Sequence, residues 1–375
     1  MAQEYSPGLQ GVVAAISGVS DIDVERNVLT YRGYDVHVLA EQASFEEVAF
    51  LVLNGELPTR DELKEFCAGI AEARRLPVSL YEQLRTFPKS AHPMDILRAG
   101  VAILAMQDPD HHDQSPEANQ RKAIRLIGQI GALVPNGYRV VVEGKDPVEP
   151  HPDLSHAANI LYMLKGERPD PLAEHVINGS LILYMEHGLN ASTFASRVAV
   201  STLSDLYSGT IAAIGALKGP LHGGANEAAM ELLLEVGTPE RAREYIREAL
   251  AAKKKVMGFG HREYKTSDSR AGVMREFGKR VCEQKGDWKW FEIAEAIAQE
   301  MWEAKKLFPN LDFPSAWTYY LLGLPIPLYT PLFAASRTVG WSAHMIEQLS
   351  ANRIIRPTSL YNGPAPREYV PLSDR

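Results

Sequence analysis

The sequence predicts a mainly α-helical protein with a small antiparallel β-meander at its start. Three observations carry that expectation. Segments with apolar residues at three- and four-residue spacing recur along the chain. Several open on a Ser or Thr followed three residues later by Glu, the signature of a helix N-terminus closed by a reciprocal capping box. Strand signal is confined to the first forty residues, where Val12–Ile16, Val28–Tyr31 and Val36–Leu39 are separated by Asp, Asn and Gly turns.

After the meander, Ser44-Phe45-Glu46-Glu47, Thr59-Arg60-Asp61-Glu62 and Ser79-Leu80-Tyr81-Glu82 are three capping boxes and predict three helix starts. Asn54-Gly55 and Pro58 stop the first of these helices. The same rhythm predicts helices over Asp95–Met106, Lys122–Val134, Ser155–Lys165 and Ala173–His187, with residues 138–153 as an exposed connection. A further helix is expected over Ala225–Val236, stopped by Gly237. Thr238-Pro239 then supplies N-cap and first turn for a helix that ends in Lys253-Lys254-Lys255. A helix over Ser342–Leu349 precedes the C-terminal segment. No internal repeat or low-complexity tract interrupts the pattern.

The chain has 375 residues, 45% hydrophobic and 23% charged, enough for two domains or one domain with a lobe. A net charge of -8 argues against nucleic acid or an anionic membrane as main partner. An anionic ligand would then need a local basic island. Cys67 and Cys282 stand far apart without a CxxC pattern, which indicates neither a disulfide framework nor a thiolate metal site. The start lacks a signal-peptide pattern and no apolar run approaches a membrane span, so a cytoplasmic location is expected.

Two histidines sit on glycine-rich bends. They are His222 in Gly219-Pro220-Leu221-His222-Gly223-Gly224 and His261 in Gly258-Phe259-Gly260-His261-Arg262-Glu263-Tyr264-Lys265. Glycine turns the backbone sharply and brings it close to a ligand, so such a histidine is presented to a cleft. His222 also precedes a helix N-terminus, whose positive end disfavours imidazolium; a neutral ring there donates a hydrogen bond to a developing oxyanion. His187 closes an apolar helix, and local sequence leaves it open as a ligand contact or a satisfied core histidine. Asp312, in Pro309-Asn310-Leu311-Asp312-Phe313, reads first as a turn-forming residue and second as a base, with apolar neighbours that would raise its pKa. The lysine run 253–255 reads first as a solvated helix end. Arg262 and Lys265 follow closely on an exposed loop, however, and polyphosphate would settle there. No GxGxxG or P-loop signature is present.

These stretches, with Glu186-His187-Gly188-Leu189-Asn190-Ala191-Ser192-Thr193, Ser336-Arg337 and Arg356-Pro357, resemble the citrate synthase family over nearly the whole chain. The resemblance implies a large helical domain from residues 1–222 and 316–375, a smaller inserted helical domain from 223–315, and an active site in the cleft between them. It makes Asp312 the base that takes a proton from the methyl of acetyl-CoA, His222 the donor to the enol oxygen, and His261 the group that polarises the ketone of oxaloacetate. His187, Arg270, Arg337 and Arg356 would hold carboxylates, with Arg356 entering the neighbouring subunit of a homodimer. Lys255, Val256, Met257, Gly258, Phe259, Gly260, Arg262 and Lys265 would contact coenzyme A. The implied reaction is a step of the tricarboxylic acid cycle that uses no metal or prosthetic cofactor.

Two positions depart from the family pattern. Ser269 stands in Asp268-Ser269-Arg270 where Asp-Pro-Arg is usual, and Glu263 where Val or Ala is common. Three rival readings stay open at this level: a 2-methylcitrate synthase using propionyl-CoA, a zinc hydrolase built on His222, His261 and Asp312, and a silent protein that binds coenzyme A or a dicarboxylate.

Overall fold

The computed structural model describes residues 5–375. Strands β1 (Ser20–Asp23), β2 (Val28–Tyr31) and β3 (Tyr34–Asp35) form one antiparallel sheet in that order, with Ser20 opposite Tyr31 and Thr30 opposite Asp35. Only the middle strand falls where the sequence predicts it. Val12, Val13 and Ile16 are exposed and form no ladder. The partner of β2 is instead the polar run Ser20–Asp23, which gains pairing without an apolar alternation to announce it. Val36 opens helix α1 (Val36–Gln42) because the Asp35 carboxylate accepts the N–H of His37, converting the expected third strand into a capped helix.

Two of the three predicted capping boxes close as expected. Ser44 and Glu47 bond each other's backbone at the start of α2 (Phe45–Asn54), as do Thr59 and Glu62 at α3 (Arg60–Ala73), and Gly55 ends α2 at φ 97°. The third does not form. Helix α4 (Val78–Leu84) begins two residues earlier, with Pro77 at the N-cap, so Ser79 lies inside its first turn. Helices α5 (Pro93–Gln107), α6 (Pro116–Gly137), α7 (His156–Lys165) and α8 (Pro171–Tyr184) follow the predicted order. The connection expected at 138–153 begins instead as a π-helical turn, Tyr138–Glu143, with Val140 and Val141 buried.

Helices α9 (Ala191–Ser201) and α10 (Leu206–Leu217) pack on each other and on α16 (Tyr329–Ser350). Helix α16 also lies against α6 and α8, and nearly every side chain from Tyr329 to Met345 is buried. A helix covered on all sides is the core of its bundle, and polar groups on it are buried by design of the fold.

Helix α11 spans Ala225–Val236, and α12 (Ala242–Ala251) follows a short 3₁₀ turn at Pro239–Arg241. Helix α12 stops before the lysine run: Lys253 adopts φ 56°, and Lys254 turns back to Glu235 and the Tyr245 hydroxyl. Helices α13 (Ser269–Lys285), α14 (Lys289–Lys305) and α15 (Asp312–Leu321) follow and lead into α16, with α11, α13 and α14 all packed on α15. The α13–α15 contact is close. A Cβ on Gly278 would come within 2.2 Å of Trp317. Among the described residues no helix is long and apolar enough to cross a membrane.

Candidate active site

Four chain segments bring the predicted site together. The end of α8 delivers Tyr184, Glu186 and His187; the turn before α11 delivers His222; the loop 256–265 delivers His261; and the start of α15 delivers Asp312. Two of these segments are bonded to one another. Gly260 N–H donates to Phe308 O at 2.8 Å, Asn310 N–H to Gly258 O at 2.9 Å, and the Asn310 amide to Gly260 O at 3.0 Å. Asn310 Oδ1 in turn accepts the N–H of Asp312. The histidine loop and the aspartate are thus held as one unit. Gly258, at φ 85°, is required there: a Cβ would also lie 2.9 Å from Phe313.

Asp312 accepts a 2.8 Å hydrogen bond from the Tyr184 hydroxyl. Burial raises its pKa to about 6, against the lowering effect of that bond and of Arg270. A carboxylate so placed is a stronger base than an ordinary aspartate and still ionised at neutral pH.

His222 is held by Ser192, the second residue of α9. The Ser192 backbone N–H approaches His222 Nε2 at 3.4 Å and its hydroxyl lies 2.8 Å from the same atom. Because a backbone N–H can only donate, Nε2 is the acceptor, and the proton of the neutral ring sits on Nδ1. Burial, then Arg337, lower His222 to about 4. Trp341 Nε1 anchors the same serine from α16 at 3.1 Å. The Phe333 ring packs against both Tyr184 and His222, at 4.4 and 6.2 Å between centroids.

His261 has the complementary arrangement. Its Nδ1 accepts the N–H groups of Glu263 and Tyr264 at 3.1 and 3.3 Å, so its proton lies on Nε2. Burial and Arg270 lower it to about 4. His187 lies 4.9 Å from His261 between ring centroids, edge to face, and burial with Arg270 keeps it well below the usual histidine range.

Two buried arginines complete the cluster. Arg270 forms a bidentate pair with Asp268 at 3.0 and 2.9 Å, and the same carboxylate accepts the N–H of Leu311 at 3.0 Å. Burial opposes its charge, but Asp268 holds its guanidinium above the ordinary value. Arg337 donates through Nε to Tyr184 O at 2.7 Å, and among the described residues no protein acceptor takes its two terminal amino groups. Burial lowers Arg337 to about 10, partly offset by Glu186. Two guanidinium groups, each with donors to spare, make this a local positive island in an acidic chain.

Both departures from the family pattern leave these bonds in place. Ser269 is the first residue of α13, a position that needs no backbone donor and so accepts either residue's backbone, while Asp268 caps the helix and pairs with Arg270. Glu263 is exposed and contributes only its backbone N–H to His261.

The other predicted residues lie around the cluster or away from it. Val256, Met257, Gly258, Phe259 and Gly260 line the loop before His261, with Lys255, Arg262 and Lys265 exposed beside it. Arg356 lies in the exposed segment after α16 and is not brought to the cluster within one chain. The side chains of His222, His261 and Asp312 do not converge as metal ligands, and no such group occurs among the described residues. A cavity of about 420 Å³ touches Asp268 and Phe313 but none of His187, His222, His261 or Arg337, so the reacting groups are outside it.

Residues that sequence reasoning missed are the ones that hold others: Tyr184, Ser192, Asp268, Tyr264 and Asn310. All but Tyr184 fall inside a quoted motif or beside Asp312, and only their bonding sets them apart.

Comparison with known proteins identifies the chain's relatives. A family model described as citrate synthase, C-terminal domain, matches residues 8–358. Citrate synthase 2 of Bacillus subtilis is 46% identical over 369 residues, covering 98% of each chain. The 2-methylcitrate synthase of Mycobacterium tuberculosis H37Rv is 45% identical over 360 residues, covering 96% of this chain and 91% of that one. The structure of citrate synthase from Thermoplasma acidophilum in a ternary complex with carboxymethyl coenzyme A and oxaloacetate has a TM-score of 0.94, with 35% identity and full coverage of both chains. The chain belongs to the citrate synthase family of acyltransferases.

Proposed function

We propose that the protein condenses acetyl-CoA with oxaloacetate to give citrate and coenzyme A. The observation that carries this reading is the pairing of a base with two donors of opposite tautomer. Asp312, raised to about 6, takes a proton from the thioester methyl. His222, neutral and with its proton on Nδ1, donates to the enol oxygen as charge develops there. His261 donates its Nε2 proton to the ketone oxygen of oxaloacetate, which makes that carbon electrophilic. The enol carbon attacks it, forming the new carbon–carbon bond, and water then cleaves the resulting citryl thioester to release the thiol. His187, Arg270 and Arg337 bind the carboxylates, and loop residues 255–260 with Arg262 and Lys265 take coenzyme A.

Residues 223–315 would act as a lobe that closes on the remainder when oxaloacetate binds, the Arg270–Asp268 pair moving with the loop that carries His261. The exposed Arg356 would complete the site of a second subunit, and a cytoplasmic setting fits the mode of action. A second acyl substrate is favoured by a specific observation, since a relative of nearly equal similarity is named a 2-methylcitrate synthase. The two substrates differ by one methyl group, worth roughly 1–3 kcal/mol. Thiol release measured with acetyl-CoA and with propionyl-CoA, each with oxaloacetate, tests the reading: kcat/KM is expected to be higher for acetyl-CoA. Higher efficiency with propionyl-CoA would reassign the substrate, and no release with either would reject the function.

A further inference from the structure

Tyr264 is 3% exposed and has no part in the scheme above. It nevertheless touches two of the three histidines. Its hydroxyl lies 3.3 Å from His187 Nε2, and its ring packs on His261 at 4.7 Å and on His187 at 5.5 Å between centroids. Its backbone N–H, with that of Glu263, donates to His261 Nδ1.

A neutral imidazole has one donor and one acceptor nitrogen, and the partner of one nitrogen decides which is which. Burial raises the Tyr264 phenol above its ordinary pKa, so it stays protonated and able to donate. Burial and the neighbouring arginines keep His187 neutral. The phenol can donate to that nitrogen or accept from it, and donation leaves the ring proton on Nδ1, free to meet a ligand. At His261 the backbone bonds do the reverse, leaving the proton on Nε2. We propose that Tyr264 is a positioning residue that sets the proton of His187 on Nδ1 through its hydroxyl and of His261 on Nε2 through its backbone, so that both rings present a donor to one bound keto acid. The proposal rests on the reading of His187 and His261 as oxaloacetate contacts.

Tyr264→Phe separates the two roles, because it removes the hydroxyl and keeps the ring packing and the backbone N–H. In wild-type protein, imidazole ¹H–¹⁵N spectra are expected to show the Nδ1–H form for His187 and the Nε2–H form for His261. In Tyr264→Phe, His187 is expected to lose its single form while His261 keeps its own. KM for oxaloacetate should rise about 3–10-fold, the loss of one neutral hydrogen bond, with kcat within about twofold. An Nε2–H form of His187 in the wild type, an unchanged His187 spectrum in the variant, or an unchanged KM would overturn the proposal. Wild-type protein that releases no thiol would reject the proposed reaction instead, and the spectra would still decide the placement of the two protons.

Discussion

Asp312 combines two opposed influences: its surroundings raise the carboxyl to about 6, and the Tyr184 hydroxyl donates to it at 2.8 Å and pulls it back down. The sign of the pH dependence follows. The base must be ionised to accept a proton from carbon, so kcat/KM is expected to be flat above neutrality and to fall as pH drops through about 6. His222 and His261 stay neutral until about 4 and do not contribute to that limb. Tyr184→Phe removes a hydrogen bond to the charged form, worth about 1.5–3 kcal/mol, so the acid limb should move up by about one unit or more. A pH–rate profile of both proteins checks this, and a limb that stays in place or moves down would remove Tyr184 from control of the base. The type of each key residue was legible from its setting: histidines on glycine bends and an acid among apolar neighbours. The neutral ring of His222 and the raised pKa of Asp312 were legible as well, but the nitrogen that carries each ring's proton and the bond that restrains the base were not, because they depend on partners such as Ser192 and Tyr184, which lie 30 and 128 residues from the groups they hold.

At the scale of elements, the bonded pair of loops 258–260 and 308–310 is what ties Asp312 to the loop that carries His261. Gly258 is the test of that pairing. Gly258→Ala places an L residue at φ 85°, at a cost of roughly 1–2 kcal/mol, and drives its Cβ to 2.9 Å from Phe313, the residue after the base. Thermal unfolding is expected to show a loss of at least that size, and turnover should fall further than stability alone explains. Wild-type turnover in a folded Gly258→Ala protein would show that the pairing does not govern the base. Helix starts with paired capping side chains were legible in sequence because the cap is a local bond, as at Ser44–Glu47 and Thr59–Glu62. Elements defined by partners far away were not. Val12–Ile16 has the composition of a strand but, among the described residues, no strand paired with it, while Ser20–Asp23 has a neighbour and a polar composition. At Val36 one aspartate side chain outweighed β-branched propensity.

For the whole molecule, the segment after α16 leaves Ile354, Leu360, Tyr361 and Tyr369 exposed on one chain, together with Arg356. The proposed homodimer with shared sites accounts for an arginine that reaches no partner among the described residues of its own chain. Mixing two inactive variants, His222→Ala and Arg356→Ala, after dissociation and reassociation is expected to restore activity, since one site of each heterodimer then carries neither defect. Heterodimers that form and stay inactive would place Arg356 in its own chain's site. The central claim, that Asp312 removes a proton from carbon while two neutral histidines receive the charge, has a more direct test. Thiol release from acetyl-CoA and oxaloacetate by Asp312→Asn, a nearly isosteric change that removes only the base, should fall by about 10²–10⁴ with the fold intact. A folded Asp312→Asn protein that turns over at close to the wild-type rate would contradict it.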